Sequence, residues 1–341
     1  MHAVALWIVW SIALVLAAIA AWKLARVDFR IAIAAQAILG VHMAIGLDLA
    51  PSSDASMYQF YGETLAQGKN PWGPLQLDPA TDDPLQRLVV RLYGDRPIPS
   101  IYGPAFLDPE ALFARAMAGD SLRARLVVQR LAALLAAVLL VFAIPRSRRT
   151  LWALNPFILF ETAAGAHNDV FMLLALAGAI RLRKTIPAGI AFGLAIMVKA
   201  TAALAICIRP RLALGGALVI AAFAFAQPAA LSVYAAVAHL RSPVYSDILT
   251  PLFARVGLLG AIPFVRVAIV LALLVWFIAI RNARRERAIP LALAAVAISP
   301  LTTPWYGMWV ALSGAWAHRR AFLFAWWVPA IMWLFYLIYW V

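Results

Sequence analysis

DLAPSSDASMYQFYGETLAQGKNPW, residues 48–72, opens the long stretch of this chain that is too polar to lie in a hydrocarbon layer. Residues 48–123 carry ten of the fifteen acidic side chains: Asp48, Asp54, Glu63, Asp78, Asp82, Asp83, Asp95, Asp108, Glu110 and Asp120. On both sides of it the sequence is overwhelmingly apolar. Hydrophobic residues make up 65% of the 341 and charged ones 13%, with a mean hydropathy of +0.87, whereas an ordinary soluble domain has roughly a quarter of its residues charged. The chain reads as an all-α polytopic membrane protein: a single transmembrane domain over 1–341, with 48–123 as its large extramembrane loop.

A net charge of +14 would suggest a nucleic-acid partner in a soluble protein, so its placement decides the matter. Seventeen of the twenty-nine Lys and Arg residues stand in six short bursts between apolar segments: Lys23, Arg26 and Arg30; Arg146, Arg148 and Arg149; Arg181, Arg183 and Lys184; Arg209 and Arg211; Arg281, Arg284, Arg285 and Arg287; Arg319 and Arg320. Only Asp28 and Glu286 accompany them. By the positive-inside rule the bursts mark the cytoplasmic face, which makes the partner a lipid bilayer and not nucleic acid. The opening apolar run has no basic region ahead of it and is about 20 residues long, so it reads as a first membrane helix and not as a signal peptide. Cys207, in an apolar run, says little about redox compartment.

Threading the segments through these bursts predicts helices near 3–22, 31–47 and 124–144 and puts the 48–123 loop on the outer side. Several later segments are shorter than the roughly 20 residues a span needs: 151–165, 169–182, 186–199, 200–208, 288–303 and 305–317. They form pairs, each rising from one basic burst and returning to the next. This predicts helices that break or turn back near the outer face, around a cavity that opens there. Full-length spans return near 212–232, 263–281 and 321–340, with a second outer loop at 233–263. The total is about twelve apolar segments with both termini outside, without a visible internal repeat. Inside the first loop, Tyr58, Tyr61 and Leu65 recur at helical spacing, so 56–67 is predicted as a short helix lying on the membrane surface, with Ser53 or Asp54 at its N-cap. Beyond it Pro71, Pro74, Pro79 and Pro84 break up the chain, and a second helix is expected over 108–118 with Pro109 in its first turn.

Polar side chains at membrane depth cost several kcal/mol unless paired. The strongest such cluster is Glu161, His167, Asn168 and Asp169, at the turn between two short segments. Asn168 or Asp169 would serve there as an N-cap, but capping leaves His167 without a purpose. Lys199 stands at the next turn, either snorkelling to the interface or offering a cation to an anion such as phosphate. Trp305 and Tyr306 stand at the third, facing either headgroups, as interfacial aromatics do, or a substrate. The three turns share one depth beneath the acidic loop.

The order SSDASMYQFYGETLAQGKNPW, IYGPAF, LNPFILFETAAGAHNDVFML, MVKATAALA and SPLTTPWYGMW resembles the polyprenyl-phosphate-sugar-dependent membrane glycosyltransferases of the GT-C superfamily. It is most similar to the bacterial polyprenol-phosphomannose-dependent alpha-mannosyltransferases, over almost the whole chain. The resemblance implies a GT-C-like bundle, with a lipid-linked sugar donor and a glycolipid or glycan acceptor, in the bacterial inner membrane with the active site facing the periplasm. It also implies that Asp54, near the start of the first outer loop, is the catalytic base. Two departures stand out: the family's Tyr-Pro-Pro segment is Tyr102-Gly103-Pro104 here, and a short helix precedes the usual first span.

On that basis the expected reaction is an inverting transfer of a hexose, mannose favoured. Asp54 would take the acceptor proton, with Asp48 as the fallback base. Lys199 is the candidate for the donor phosphate, His167 and Asn168 for phosphate or sugar, and Asp169 for a sugar hydroxyl or for orienting His167. Tyr58, Tyr102, Trp305 and Tyr306 are the candidates for the cavity wall. Arg241 and Asp247, in the second outer loop, have no spacing that favours them over solvated loop charges. No cofactor is required, and no ligand cluster demands a metal, although the carboxylates leave room for a divalent ion. The competing reading is a transporter or flippase for a lipid-linked saccharide, because broken helices with polar tips also build transport sites.

Overall fold

The computed structural model describes residues 2–24, 26–47, 54–232, 253, 256–280, 287–298 and 303–340, and among them the secondary structure is entirely helical. Asp48, Ser53, Arg241 and Asp247 lie outside the described residues.

The first half runs α1 (His2–Lys23), α2 (Phe29–Gly46), α3 (Asp54–Ala66), α4 (Pro84–Tyr93), α5 (Pro104–Ala116) and α6 (Leu122–Ala143). Three of these starts have a side-chain cap. The Asp28 side chain accepts from the Arg30 N–H at the head of α2. Asp83 accepts from the Leu85 and Gln86 N–H groups at α4, where Pro84 occupies the first turn. Ser121 accepts from the Ala124 N–H at α6. In each case a side-chain oxygen satisfies backbone donors that the helix itself cannot.

The second half is shorter and more broken. After α7 (Arg149–Ala153) and the one-turn α8 (Pro156–Leu159), residues Phe160–Ala164 wind as a π-turn, and α9 (Asp169–Arg181) leaves at 120° to that segment. Next, α10 (Thr185–Val198) gives way at Lys199 to an eight-residue 3₁₀ helix, Ala200–Cys207. The remaining α-helices among the described residues are α11 (Ala213–Ala226), α12 (Ile262–Ala279), α13 (Ala288–Ile298), α14 (Gly307–Gly314) and α15 (Arg319–Trp340). Among the described residues three helices, Phe29–Gly46, Leu122–Ala143 and Ile262–Ala279, are long and apolar enough to cross a membrane, and the bent pair Pro156–Ala164 with Asp169–Arg181 is a fourth if it counts as one span. An eleven-residue helix such as α13 rises only about 16 Å, roughly half a hydrocarbon core. The short, bent segments expected around 151–208 are therefore present.

The 54–116 region departs from expectation in three ways. First, α3 does not lie on a surface, since nine of its thirteen residues are buried. It is enclosed because both its faces carry residues that pack: Tyr58 meets Tyr102 and Phe106 edge-on at ring separations of 5.0 Å, and Gln59 reaches Gln129 of α6. Second, the helix expected from 108 begins four residues earlier, with Pro104 at its first turn and Pro109 inside it. Pro104 fits a first turn because the missing N–H is one the helix would leave unpaired anyway. Third, the proline-rich stretch contains α4, signalled by Asp83-Pro84.

Side-chain donors on backbone carbonyls fasten the connecting chain to this small subdomain. The Trp72 indole donates to the Tyr102 carbonyl at 2.8 Å, and the Tyr61 hydroxyl donates to the Ile98 carbonyl at 2.8 Å. One continuous core joins it to the membrane helices, running from Tyr58 and Leu107 through Ala137 and Val170 to Phe192, Met308 and Trp309.

Candidate active site

Four chain breaks converge on one place. Asp54 opens α3, and its carboxylate is about one-fifth exposed. The Tyr58 hydroxyl, one helical turn on, lies 3.4 Å from Asp54 Oδ2 and 3.3 Å from Asn168 Oδ1. Burial pushes the Tyr58 and Tyr102 phenols well above their ordinary range, so both stay neutral hydrogen-bonding groups. Across from α3, the bend between the π-turn and α9 supplies His167, Asn168 and Asp169, all buried.

The bend is an unusual piece of backbone. A π-turn leads into Gly165, and Ala166 follows with a φ of +54° in the left-handed region, a conformation that costs a non-glycine residue about 1–2 kcal/mol. A Cβ on Gly165 would sit 2.6 Å from the His167 ring, so only glycine lets the ring fold back at this point. His167 Nε2 then faces Glu161 Oε2 at 3.2 Å, while Nδ1 faces Asp54 Oδ2 at 3.4 Å. The Trp333 indole of α15 donates to the other oxygen of Glu161 at 2.7 Å. Trp305 lies flat on the imidazole, with ring centres 3.9 Å apart and planes 17° apart.

Asn168 occupies the N-cap position of α9 without a side-chain capping bond. Asp169 Oδ1 instead accepts from Lys199 Nζ at 2.8 Å and from the Trp309 indole at 2.6 Å. Lys199 is therefore not an isolated cation at the cavity floor but one half of a buried ion pair. Its ammonium is walled by the rings of Tyr306, Trp309 and Tyr102 at 4.4, 5.1 and 5.8 Å. Nor does Asp169 orient His167; Glu161 stands in that position.

Three successive side chains keep a buried polar atom without a hydrogen-bond partner: His167 Nδ1, Asn168 Nδ2 and Asp169 Oδ2. His167 Nδ1 is within ion-pairing distance of Asp54 but lacks hydrogen-bond alignment. Such atoms are rare in folded proteins, and they mark where a ligand or water completes the set. Here they offer an acceptor, an amide donor and an imidazole nitrogen side by side, a set suited to sugar hydroxyls. Among the described residues no group of three or more His, Cys, Asp or Glu side chains is placed to hold a metal ion.

An apolar cavity of about 590 Å³ begins at Trp309, beside this cluster. It runs between α9, the 3₁₀ helix, α13 and α14 past Met172, Leu176, Ala205, Ala292 and Leu312 to Arg209. Met172, Leu176 and Ile180 recur every four residues and so present one apolar stripe of α9 along its length.

Arg130 is the residue that sequence reasoning missed. It is fully buried in α6, where its guanidinium donates to the carbonyls of Ala44 at 3.1 Å, Leu47 at 2.7 Å and Ala164 at 3.1 Å. It thereby ties the end of α2 to the π-turn. A charged residue inside a predicted span was the available signal.

No curated protein and no solved structure matches the chain. Residues 1–213 match the family model described as alpha-(1->6)-mannopyranosyltransferase, N-terminal domain. The match takes in α3, the His167 bend and Lys199, and with it the chain belongs to this GT-C mannosyltransferase family and is a membrane glycosyltransferase.

Proposed function

We propose that the protein moves a hexose, mannose favoured, from a polyprenyl-phosphate carrier to a lipid or glycan acceptor on the outer face of the bacterial inner membrane, with inversion at the anomeric carbon. The observation that carries this reading is the meeting of Asp54 with the orphaned polar atoms of His167, Asn168 and Asp169, beside an apolar cavity that Trp309, the hydrogen-bond partner of Asp169, helps to line. A phosphate-linked sugar needs little activation, because the phosphate already leaves readily. What it needs is a base on the opposite face and polar groups around the developing charge.

In the reaction, Asp54 takes the acceptor hydroxyl proton while the acceptor oxygen bonds to the anomeric carbon. The bond from that carbon to the phosphate oxygen breaks, and the phosphate departs with the electron pair. The orphaned amide of Asn168 and carboxylate oxygen of Asp169 hold the sugar, beside His167, whose Nδ1 faces Asp54. Lys199 faces the phosphate, held in place by Asp169 and by the Tyr102, Tyr306 and Trp309 rings, while Tyr58 and Trp305 complete the wall. The apolar cavity takes the isoprenoid chain, as its depth and lining suit a hydrocarbon. The step needs no cofactor, so transfer should survive EDTA. Membership of a glycosyltransferase family replaces the transporter alternative.

The test is to incubate purified protein with a panel of polyprenyl-phosphate sugars and a membrane lipid extract, reading products by mass spectrometry and anomeric configuration by NMR. Transfer from one donor with inversion is expected, together with loss of at least about 100-fold in D54N, the range for a lost general base. Full transfer by D54N would remove Asp54 as the base.

A further inference from the structure

We infer that Glu161 is a positioning residue of the transfer site, which holds the His167 imidazole against Asp54 and through it sets the angle of that carboxylate. The inference rests on the reading of Asp54 as the base. His167 is bracketed by two carboxylates, Asp54 on Nδ1 at 3.4 Å and Glu161 on Nε2 at 3.2 Å, while Trp305 covers one face of its ring. Glu161 is itself held: Trp333 donates to its Oε1 at 2.7 Å, which leaves Oε2 aimed at the imidazole. An acid, an imidazole and a second acid in line, the outer one fixed by a buried indole, form the general arrangement by which a carboxylate orients a histidine.

The backbone points the same way. An ordinary α-turn at 160–164 would not bring Glu161 under a histidine six residues on. The π-turn, the Gly165 contact and the left-handed Ala166 together fold His167 back over it. Two departures from regular helix at one point, the π-turn and the left-handed Ala166, are of the kind that clusters at functional sites. Burying a carboxylate at this depth, 2% exposed, is explained if His167 and Trp333 are what it serves.

The proposal can be tested by kinetics on purified E161Q, H167F, E161Q/H167F, W333F and D54N, with thermal unfolding in detergent as the folding control. We expect E161Q to lose about 100-fold in kcat, the scale of a misplacement near 1 Å, with donor KM within twofold of wild type. The double variant should be no slower than H167F, because Glu161 acts only through that ring. W333F, which leaves both Asp54 and His167 intact, should lose kcat in the same manner to a smaller degree. The proposal is overturned if E161Q or W333F retains wild-type kcat, or if the E161Q loss appears in full on top of H167F. In those cases an inactive D54N leaves the base reading standing. An active D54N instead overturns the base reading, and this proposal with it.

Discussion

The Gly103 N–H donates to the Val198 carbonyl at 3.3 Å, and a Cβ on Gly103 would overlap the carbonyl oxygen of Met197. The loop ahead of α5 therefore touches the broken end of α10 backbone to backbone, one residue before Lys199. Glycine is the middle residue of Tyr102-Gly103-Pro104, and the close approach leaves no room for a larger side chain there. G103A should force the two backbones apart, costing about 1–3 kcal/mol as overpacking does. A lower thermal midpoint and reduced transfer are expected together, and wild-type values in both would show that the contact is slack.

The Lys199–Asp169 pair is buried, so removing one partner strands the other. K199M should destabilise the protein by about 3–5 kcal/mol, and K199M/D169N should recover much of that stability without recovering transfer. Unfolding in detergent reads the first effect and product formation the second. A K199M protein as stable as wild type would mean that Asp169 finds another partner or takes up a proton.

Glu110 gives a pH signature. Burial raises its carboxyl to about 7 despite the Gln129 amide, which donates to both of its oxygens at 3.3 Å. A carboxyl with a raised folded-state pKa binds its proton more tightly in the folded chain than in the unfolded one. Stability must therefore fall as pH rises from about 4.5 to about 7 and then level off. The full effect is on the order of 3 kcal/mol. E110Q should lose this slope and be the more stable protein at pH 8. Parallel unfolding curves for wild type and E110Q between pH 5 and 8 would contradict the assignment.

Arg130 holds three carbonyls, those of Ala44, Leu47 and Ala164. R130M should cost about 3 kcal/mol or more, since hydrogen bonds to charged groups contribute about 1.5–3 each and add imperfectly. R130K restores the charge but not the fork, and should recover less than half. Hydrogen exchange across 40–47 and 160–166 would locate the loosening; unchanged protection in R130M would assign the cost elsewhere.

Most segment positions were legible because hydropathy and the basic bursts constrain them together. The expected 169–182, 186–199 and 263–281 all lie within one or two residues of α9, α10 and α12. The burial of α3 was not legible, since Tyr58, Tyr61 and Leu65 announce an apolar face without saying what covers it. Asp54, His167 and Lys199 were recognised by type and order, yet their pairing was not. Lys199 meets Asp169 thirty residues away, and only the fold of α10 against α9 brings them together. Glu161 was visible as a buried acid, but a helical register assigns it no histidine, because the π-turn that supplies one has no sequence signature.

That π-turn makes the site sensitive to counting as well as to chemistry. A π-turn amounts to one residue inserted into an α-helix, and each helical residue rotates the chain by about 100°. Deleting Ala163 or Ala164 would keep every reacting group in the sequence and still swing Glu161 and His167 out of mutual reach. If Glu161 positions His167 as proposed, the spacing between 156 and 169 matters to transfer as much as any carboxylate, and a relative lacking one residue there would need a different means of holding its histidine.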